Sequence, residues 1–431
     1  MADVRELHRL LLELDDQLVS CMRCGMCQAV CPLYAETGRE ALVARGKIAL
    51  LEHLAHEMIK DPVGVKDKVE TCLLCGACAA NCPSGVKVLD IFLKARAILA
   101  GYLGLPPFKK LIFRGLLVRP GLFNALLSLG SKFQGLFTKP VSEMLGSSCA
   151  RFSSEALGDR HFPALAGEAL HKAVPRLDEP RKPGGLKVAF FPGCMVDKVF
   201  PRVGRAVLKV LAHHGVAVFL PDGQACCGIP ALSSGDRQSF DKLVDLNLER
   251  FGGGDFDYLV TPCATCTSTI KKFWPGLAGG NDPAKREALD KLAAKTLDIN
   301  AFLVDVVKVQ GTGAPGAHDR KVTIHDPCHL KKSLGVAAQP RAVVRLNPNV
   351  DLVEMAEADV CCGCGGSFTL LHYDLAGKIG KKKRDNIVAS GAQTVATGCP
   401  ACMLQITDML SKSGDQVAVR HPVELYAETL D

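Results

Sequence analysis

The feature that most constrains this chain is a pattern of five cysteines that occurs twice. In each copy a single cysteine precedes a Cys-Cys-Gly triplet, which precedes a Cys-x2-Cys pair. The steps between successive cysteines are 32, 1, 36 and 3 in the first copy and 33, 1, 37 and 3 in the second. Self-similarity this close indicates a duplicated structural unit. The ten residues are Cys194, Cys226, Cys227, Cys263 and Cys266, then Cys328, Cys361, Cys362, Cys399 and Cys402.

Five thiols in one repeat favour an iron–sulfur cluster. A four-iron cubane needs one thiolate per iron, so a fifth is spare or bridges two irons of an opened cluster, and adjacent cysteines suit bridging. Zinc is the main alternative, but it prefers four ligands in a closed tetrahedron, which a Cys-Cys-Gly triplet fits poorly. The remaining alternative is a set of buried, structural thiols.

Each copy has the pattern of an α/β unit. Short apolar runs directly precede the cysteine groups and predict buried strands. The cysteines would then lie at the carboxyl ends of a small parallel sheet, where open α/β sheets bind ligands. Pairing the two copies would bring both cysteine sets toward a shared cleft. The predicted strands span residues 186–191, 216–219, 258–261, 322–324, 350–353 and 394–397.

A second duplicated cysteine pattern lies near the N-terminus. The run Cys-x2-Cys-x2-Cys-x3-Cys-Pro occurs twice, and it is typical of bacterial ferredoxins, in which the fourth cysteine of each run ligates the other cluster. We therefore predict two [4Fe-4S] clusters, A and B. Cluster A takes Cys21, Cys24, Cys27 and Cys82, and cluster B takes Cys72, Cys75, Cys78 and Cys31.

The segment between these runs indicates one or two helices, which marks a helix-rich ferredoxin variant. It contains Arg45-Gly46-Lys47, which is compatible with a solvated charge beside anionic clusters or with a specific contact. Leucines at helical spacing also predict an amphipathic helix over residues 3–18.

Residues 91–142 contain eight basic residues and no acidic residue. This basic, amphipathic segment is compatible with a membrane interface, a partner-docking surface or packing between the two halves of the chain. Nucleic acid is an unsuitable partner, because no groove-reading motif occurs. Residues 143–185 have the Pro- and Gly-rich composition of a linker.

The cysteine content and the N-terminal sequence indicate the cellular compartment of the protein. Twenty cysteines in 431 residues, with a charged N-terminus and no apolar signal region, predict a reducing, cytoplasmic location with thiols kept for metal. The sequence contains no uninterrupted run of about 18 apolar residues, so no transmembrane helix is predicted. The net charge of +7 is modest and is compatible with an anionic membrane surface or an acidic partner.

The repeats resemble the cysteine-rich CCG domain of heterodisulfide reductase catalytic subunits and the iron–sulfur subunits of glycolate oxidase and related D-lactate dehydrogenases. The resemblance covers residues 10–100 and 185–431 and includes the residues around Cys194 and Cys328. In heterodisulfide reductases each complete CCG repeat holds a non-cubane four-iron cluster, which implies one or two further clusters here. His325 and His329 flank Cys328, and they are compatible with hydrogen bonds to cluster sulfur, with proton transfer or with ordinary loop histidines whose hydrogen bonds are satisfied. Cys364 adds a sixth thiol to the second copy.

The expected fold combines α+β and α/β elements in four parts. An α-helical ferredoxin domain with two [4Fe-4S] clusters spans residues 1–100, and a basic, amphipathic helical connector and linker spans 101–185. CCG repeat 1 spans 186–310, and CCG repeat 2 spans 311–431.

Two functions follow from these expectations. The first is the electron-transfer iron–sulfur subunit of a flavin-dependent glycolate or D-lactate dehydrogenase complex, which passes electrons to a quinone or another acceptor. Because neither G-x-G-x-x-G after a strand nor a P-loop occurs, the FAD would lie on a partner subunit. The second is a heterodisulfide-reductase-like catalytic subunit that reduces a disulfide at the CCG clusters. Either is an oxidoreductase subunit, cytoplasmic or peripheral on the inner face of the cell membrane; a non-catalytic zinc scaffold is the third class.

Overall fold

The computed structural model describes residues 4–151, 159–280, 282–311 and 319–430. It divides into two compact units. The helical unit comprises Met1–Gly115, Gly228–Asp241 and Gly363–Gly380. The sheet unit comprises Leu116–Cys227, Lys242–Cys362 and Lys381–Asp431.

The helical unit is built on helices whose apolar sides face one core. Helix Val4–Leu12 packs on Ala44–Ala55 and Val88–Leu103, and burial of Leu7 and Leu11 drives that packing. The predicted helix over residues 3–18 is broken between Leu12 and Asp15. The helices of this unit are Val4–Leu12, Asp15–Leu18, Met26–Ala29, Pro32–Thr37, Ala44–Ala55, Pro62–Glu70, Ala77–Ala80, Val88–Leu103, Pro107–Lys110, Ile229–Ser233 and Ser367–Leu371, with a 3₁₀ turn at Glu40–Leu42.

Three helices have residues in both units, namely the π-helix Leu111–Leu117 and the α-helices Arg237–Phe251 and Tyr373–Ala389. The sheet unit adds the α-helices Pro120–Phe137, Leu170–Ala173, Gly193–Lys198, Pro201–His213, Ala264–Ser268, Pro283–Lys295, Ile299–Ala301, Cys328–Leu334, Ala338–Arg345, Pro400–Ser413 and Pro422–Ala427 and the π-helices Thr269–Ala278 and Phe302–Val307.

The described strands all lie in the sheet unit. In chain order they are β1 Thr138–Ser142, β2 Ser147–Ala150, β3 His161–Pro163, β4 Leu177–Asp178, β5 Lys187–Phe190, β6 Ala217–Leu220, β7 Tyr258–Thr261, β8 Thr296–Asp298, β9 Arg320–Ile324, β10 Val350–Leu352, β11 Thr394–Ala396 and β12 Ala418–Arg420.

The two repeats share one sheet topology. The first sheet has the order β4-β6-β5-β7-β8 and the second has β10-β9-β11-β12, and every pair is parallel except β4 with β6. Without β4, the two orders correspond strand by strand. The predicted α/β repeats and their three strands each are therefore confirmed. The fourth strands, β8 and β12, are additional, and at three residues each they are too short to show a period.

Residues 143–185, expected to be a linker, contain regular structure, namely β2, β3, β4 and helix Leu170–Ala173, and β1 directly precedes them. Strands β1, β2 and β3 form an antiparallel sheet in that order. The sheet is fastened to helix Pro400–Ser413, because His161 donates its backbone N–H to Asp408 and the Ser147 hydroxyl contacts that of Ser411 at 2.6 Å. These strands are rich in Ser, Lys and Pro, so no alternation of apolar residues revealed them. Residues 152–158 of this segment lie outside the described residues.

Among the described residues, no single helix is both long and apolar enough to cross a membrane. One bent pair, Pro107–Leu117 with Pro120–Phe137, meets the requirement for length and composition.

Candidate iron–sulfur sites

The four cysteines predicted for cluster A line one cavity of the helical unit. Its volume is about 30 Å³. The loop turns at Gly25, whose φ of 87° lies in the left-handed region that favours glycine. A Cβ there would stand 3.0 Å from Nη1 of Arg45. The cysteines on this cavity are Cys21, Cys24, Cys27 and Cys82, and Cys78 also reaches its wall.

The four cysteines predicted for cluster B line a second cavity of the same unit, also about 30 Å³. Cys31 stands at the N-cap of helix Pro32–Thr37, so this helix carries the thiol that comes from the other run. Burial raises the pKa of both Cys31 and Cys78. The cysteines on this cavity are Cys31, Cys72, Cys75 and Cys78.

The donor chemistry of both cavities fits an iron–sulfur cluster. No disulfide joins any two of the described cysteines. Four thiolates around one apolar cavity repel one another and lose hydration, so they are stable there only with a cationic centre between them. Each cavity supplies the four thiols that a four-iron cluster takes.

Lys47 lies on the wall of the second cavity and is fully buried. Its ammonium donates to the Leu42 carbonyl at 2.6 Å. Gly46 beside it has no room for a side chain, because a Cβ would stand 2.1 Å from the Glu40 carbonyl oxygen. In Arg45-Gly46-Lys47, therefore, only Arg45 is partly solvated, and it pairs with Glu40 at 2.5 Å. For Lys47 the solvated-charge interpretation is wrong.

Arg96 is a second buried cation beside the cluster B loop, and no motif in the sequence singled it out. Its guanidinium donates to the carbonyls of Val69, Glu70 and Cys72 and to that of Ser233, at 2.7 to 3.2 Å. Burial lowers the pKa of Arg96, whereas the Cys72 thiolate acts to raise it. Arg96 thus fixes the backbone that enters the cluster loop and places a positive charge beside it.

In the first repeat the cysteines follow β5, β6 and β7, and they come together in the sheet unit. The sulfurs of Cys194 and Cys226 are 3.9 Å apart. A Cβ on Gly193 would stand 3.0 Å from the sulfur of Cys266. Contact with Cys227, followed by that with Cys263 and by burial, raises the pKa of Cys266.

Three side chains that the sequence analysis missed hold the backbone at the pair Cys226-Cys227 and at Gly193, which precedes Cys194. Trp274 donates its indole N–H to the Cys227 carbonyl at 2.9 Å, and Asn247 donates to the Cys226 carbonyl at 3.0 Å. Gln224 accepts from the backbone N–H of Gly193 at 3.2 Å. Trp274 is the single tryptophan of the chain, which was a usable signal. Nothing in the sequence distinguished Asn247 and Gln224 from other polar residues.

The second repeat brings Cys362 and Cys402 within 4.8 Å of a ring nitrogen of His325. His325 is buried, and burial lowers its pKa to about 3, so the ring is neutral. Nδ1 lies 3.0 Å from the Ala358 carbonyl and must be protonated to bond it. Nε2 then has a lone pair and no hydrogen-bond partner among the described residues. This orphaned nitrogen fits a metal-binding group better than a proton carrier.

The remaining predicted residues of the second repeat are also accounted for. Contact with Cys362, then with Cys399, raises the pKa of Cys402, and burial adds to the effect. Cys361 is buried and Cys328 is half-buried at the start of helix Cys328–Leu334. Cys364, the additional thiol, is buried in the helical unit.

The two repeats meet through their Cys-x2-Cys turns within the sheet unit. Around them the Ala264 N–H donates to the Gly398 carbonyl at 3.0 Å, and the Thr265 hydroxyl lies 3.4 Å from the Cys399 sulfur. His329 contacts the same hydroxyl at 3.2 Å, so it belongs to this junction. The two cysteine sets therefore share a boundary.

Two family models match the chain. The model described as a cysteine-rich domain matches residues 188–271 and 322–407, and the one described as a 4Fe-4S dicluster domain matches 17–86. These matches imply that the chain carries iron–sulfur clusters.

The relatives agree with the family models. The "Probable glycolate oxidase iron-sulfur subunit" of Bacillus subtilis is 30% identical over 96% of this chain and 94% of its own length. "Lactate utilization protein A" of an Exiguobacterium species is 33% identical over 56% of this chain and 97% of its own. A subunit of the fumarate reductase (CoM/CoB) of Methanothermobacter marburgensis is 36% identical over 56% of this chain and 46% of its own. The chain therefore belongs to the family of glycolate oxidase iron–sulfur subunits, and it is an oxidoreductase subunit.

Proposed function

We propose that this chain is the electron-transfer subunit of a flavin-dependent 2-hydroxyacid dehydrogenase complex that oxidises glycolate or D-lactate. The similarity to the Bacillus subtilis protein over nearly the full length of both chains carries this proposal. An FAD-containing partner subunit removes electrons from the hydroxyacid. This chain accepts them and passes them to a quinone or another acceptor.

Within the proposal, the four cysteine sets hold the cofactors. Cys21, Cys24, Cys27 and Cys82 hold one [4Fe-4S] cubane, and Cys72, Cys75, Cys78 and Cys31 hold the other. One or two further clusters, cubane or non-cubane, occupy the CCG repeats. Their proposed ligands are Cys194, Cys226, Cys227, Cys263 and Cys266 in the first repeat and Cys328, Cys361, Cys362, Cys399 and Cys402 in the second.

When bound, the clusters supply one-electron transfer. The protein holds the thiolates and sets the charge around them. Arg96 and Lys47 place two buried cations near the Cys72 loop, and each opposes the negative charge that reduction adds. Trp274 and Asn247 fix the carbonyls of the first cysteine pair, so that its two thiols keep their directions.

We also propose a cytoplasmic location, peripheral on the inner face of the membrane. Four exposed basic residues lie in residues 91–142, the stretch without acidic residues. Their positive charge is complementary to the negative charge of anionic lipid headgroups. The four residues are Lys110, Arg119, Lys132 and Lys139. Two other cations of this stretch are engaged within the protein, since Lys109 is buried and Arg114 pairs with Asp236 at 3.2 Å.

The test is anaerobic purification of the chain with its native partners, followed by addition of glycolate or D-lactate. We expect a flavoprotein to co-purify and the iron–sulfur absorbance to bleach with one of these acids. Co-purification of a cytochrome b-like membrane protein without a flavoprotein, and no bleaching by either acid, would contradict the proposal.

A heterodisulfide-reductase-like activity is the second candidate. The observation that favours it is the match to the Methanothermobacter CoM/CoB fumarate reductase subunit, which is 36% identical over 56% of this chain. Both CCG repeats here are also complete. The discriminating measurement is oxidation of the reduced clusters by a disulfide substrate, which this candidate requires and the first does not.

A further inference from the structure

The sheet unit contains a cavity of about 110 Å³ beside the first CCG site. Cys194 and Cys226 form part of its wall, so it opens onto two proposed cluster ligands. A cavity needs only about 10–15 Å³ on this measure to hold one water, so this one has room for an organic ligand group. The cavity is distinct from the junction of the two repeats, because neither Cys263 nor Cys399 lines it.

One side of the cavity carries a cluster of proton-exchanging groups. His171 Nδ1 lies 2.9 Å from an Asp197 carboxylate oxygen, and the Lys198 ammonium contacts the same carboxylate and lies 3.4 Å from His171. Burial acts to raise the pKa of Asp197, but the contacts with Lys198 and His171 outweigh it and leave that pKa low. The His171 side chain is 33% exposed, so protons from solvent can reach this cluster.

Apolar side chains also line the cavity, and helix Pro120–Phe137 contributes part of this lining. Phe123 and Asn124 of this helix line the cavity, together with Leu117 and Val174. An apolar wall opposite a few polar groups is the usual construction of a site for an organic ligand.

The outer side of the same helix is apolar and exposed. Five residues at successive helical spacing are between 43% and 64% exposed, and the helix has no buried residue. The exposed residues are Leu122, Leu126, Leu129, Phe133 and Leu136. A helix with this face is suited to lie in a lipid interface. Its inner side would then connect that interface with the cavity.

We infer that this cavity is the acceptor site and that it binds the ring of a lipid-soluble quinone. This inference rests on the proposed function and names its acceptor. The quinone would take up two electrons, which bound iron–sulfur clusters would supply one at a time, and two protons from the His171–Lys198 cluster, and it would leave as the quinol. The oxidation of a 2-hydroxyacid to a 2-oxoacid by the partner releases the same two electrons and two protons, so the overall reaction is balanced.

The test compares two neighbouring substitutions on helix Pro120–Phe137. Asn124→Trp fills the cavity, whereas Ala125→Trp adds the same side chain at an exposed position. The full chain, with its clusters, is reduced by dithionite, freed of excess reductant and mixed with menadione. Reoxidation is followed by cluster absorbance, and menadione binding is followed separately by equilibrium dialysis.

We expect Asn124→Trp to weaken menadione binding and slow reoxidation at least tenfold, and Ala125→Trp to leave both within about twofold of the unsubstituted chain. His171→Gln should slow quinol formation while leaving menadione binding unchanged, because it removes a proton donor and not the apolar wall. Equal behaviour of the two tryptophan variants, or reoxidation by a disulfide and not by menadione, would overturn the inference.

Dithionite bypasses the flavoprotein, so this experiment does not depend on the hydroxyacid. If menadione binds and reoxidises the chain but neither glycolate nor D-lactate reduces the complex, the proposed substrate is wrong and the acceptor site stands. If a hydroxyacid reduces the clusters and menadione does not bind, the proposed function stands and the acceptor site is wrong.

Discussion

At the scale of single residues, the two ferredoxin-type cavities differ in the charge around them. Lys47 and Arg96 are buried near the Cys72 loop, whereas Arg45, beside the other cavity, is partly exposed and neutralised by Glu40. A buried positive charge favours the reduced, more negative state of a cluster, and its effect is weakly screened. The cluster at Cys72 should therefore have the higher reduction potential.

This difference gives a prediction for Lys47→Met. The substitution removes the charge and keeps a long apolar chain, so the potential of the cluster held by Cys72, Cys75 and Cys78 should fall by tens of millivolts. EPR-monitored redox titration measures both clusters in one sample. Arg45→Met is the control, and its shift should be smaller, because solvent and Glu40 already offset that charge. Equal shifts for the two variants would contradict the assignment.

A second prediction concerns which cysteine completes which cluster. Cys31→Ser should damage the cluster held by Cys72, Cys75 and Cys78, because Cys31 lines that cavity and not the one nearest to it in sequence. EPR of the anaerobic variant identifies the missing signal. The control is Cys149→Ser, since Cys149 lines neither of these cavities and should leave both signals intact. Loss of the other cluster would refute crossed ligation.

The sequence could identify the thiols but not the groups that surround them. The cysteines around Cys21 and around Cys72 lie within short stretches of sequence, so their spacing could be recognised without a structure. Burial of Lys47 and Arg96 depends on helices that meet only in the folded chain, and a lysine in sequence has the same appearance whether solvated or buried. Asn247 and Gln224 are likewise ordinary polar residues until the chain brings them to cysteine-bearing turns.

At the scale of elements, helix Pro120–Phe137 exposes leucines and phenylalanines that would usually be buried. Its half-buried side combines Phe123 and Leu127 with the polar Asn124, Ser128 and Gln134. The sequence pattern predicted an amphipathic helix, but it could not show which side would face outward. That choice depends on the polar partners available, such as the Leu165 carbonyl, which accepts from the Gln134 amide at 2.9 Å.

The prediction for this helix is that Leu129→Glu combined with Phe133→Glu reduces binding to anionic vesicles at least tenfold, because it puts two charges into the exposed apolar side that we propose lies in the lipid interface. Cosedimentation with vesicles of phosphatidylglycerol measures the effect, and wild-type binding should weaken as salt screens the exposed lysines. Val388→Glu is the control, since Val388 is an exposed apolar residue on another helix. Unchanged binding of the double variant would remove the membrane assignment.

Strand prediction succeeded where strands were buried and failed where they were short or polar. Strands β5, β7 and β9 correspond to apolar runs that precede cysteines, so hydrophobicity and position along the chain both predicted them. Strands β8 and β12 have three residues each and β4 has two, and such lengths leave no period to detect. The sheet of β1, β2 and β3 is polar, and its position depends on helix Pro400–Ser413 far along the chain.

At the scale of the whole molecule, the duplication sets the expected cofactor content. Anaerobically purified chain should contain about sixteen irons if both CCG repeats and both ferredoxin sets are filled at four irons per cluster. Iron and sulfide analysis measures this, and alkylation counts the thiols that hold no iron. About eight irons per chain, with the CCG thiols alkylated, would leave a two-cluster carrier and contradict the proposal for the repeats.

The contact between the two Cys-x2-Cys turns, Cys263–Cys266 and Cys399–Cys402, has a consequence for the history of the chain. The Ala264 N–H of the first turn donates to the Gly398 carbonyl, next to the second turn. Deleting either repeat would expose a cysteine turn to water and oxygen and leave a backbone carbonyl or N–H unpaired. We therefore expect the two repeats to be kept or lost together.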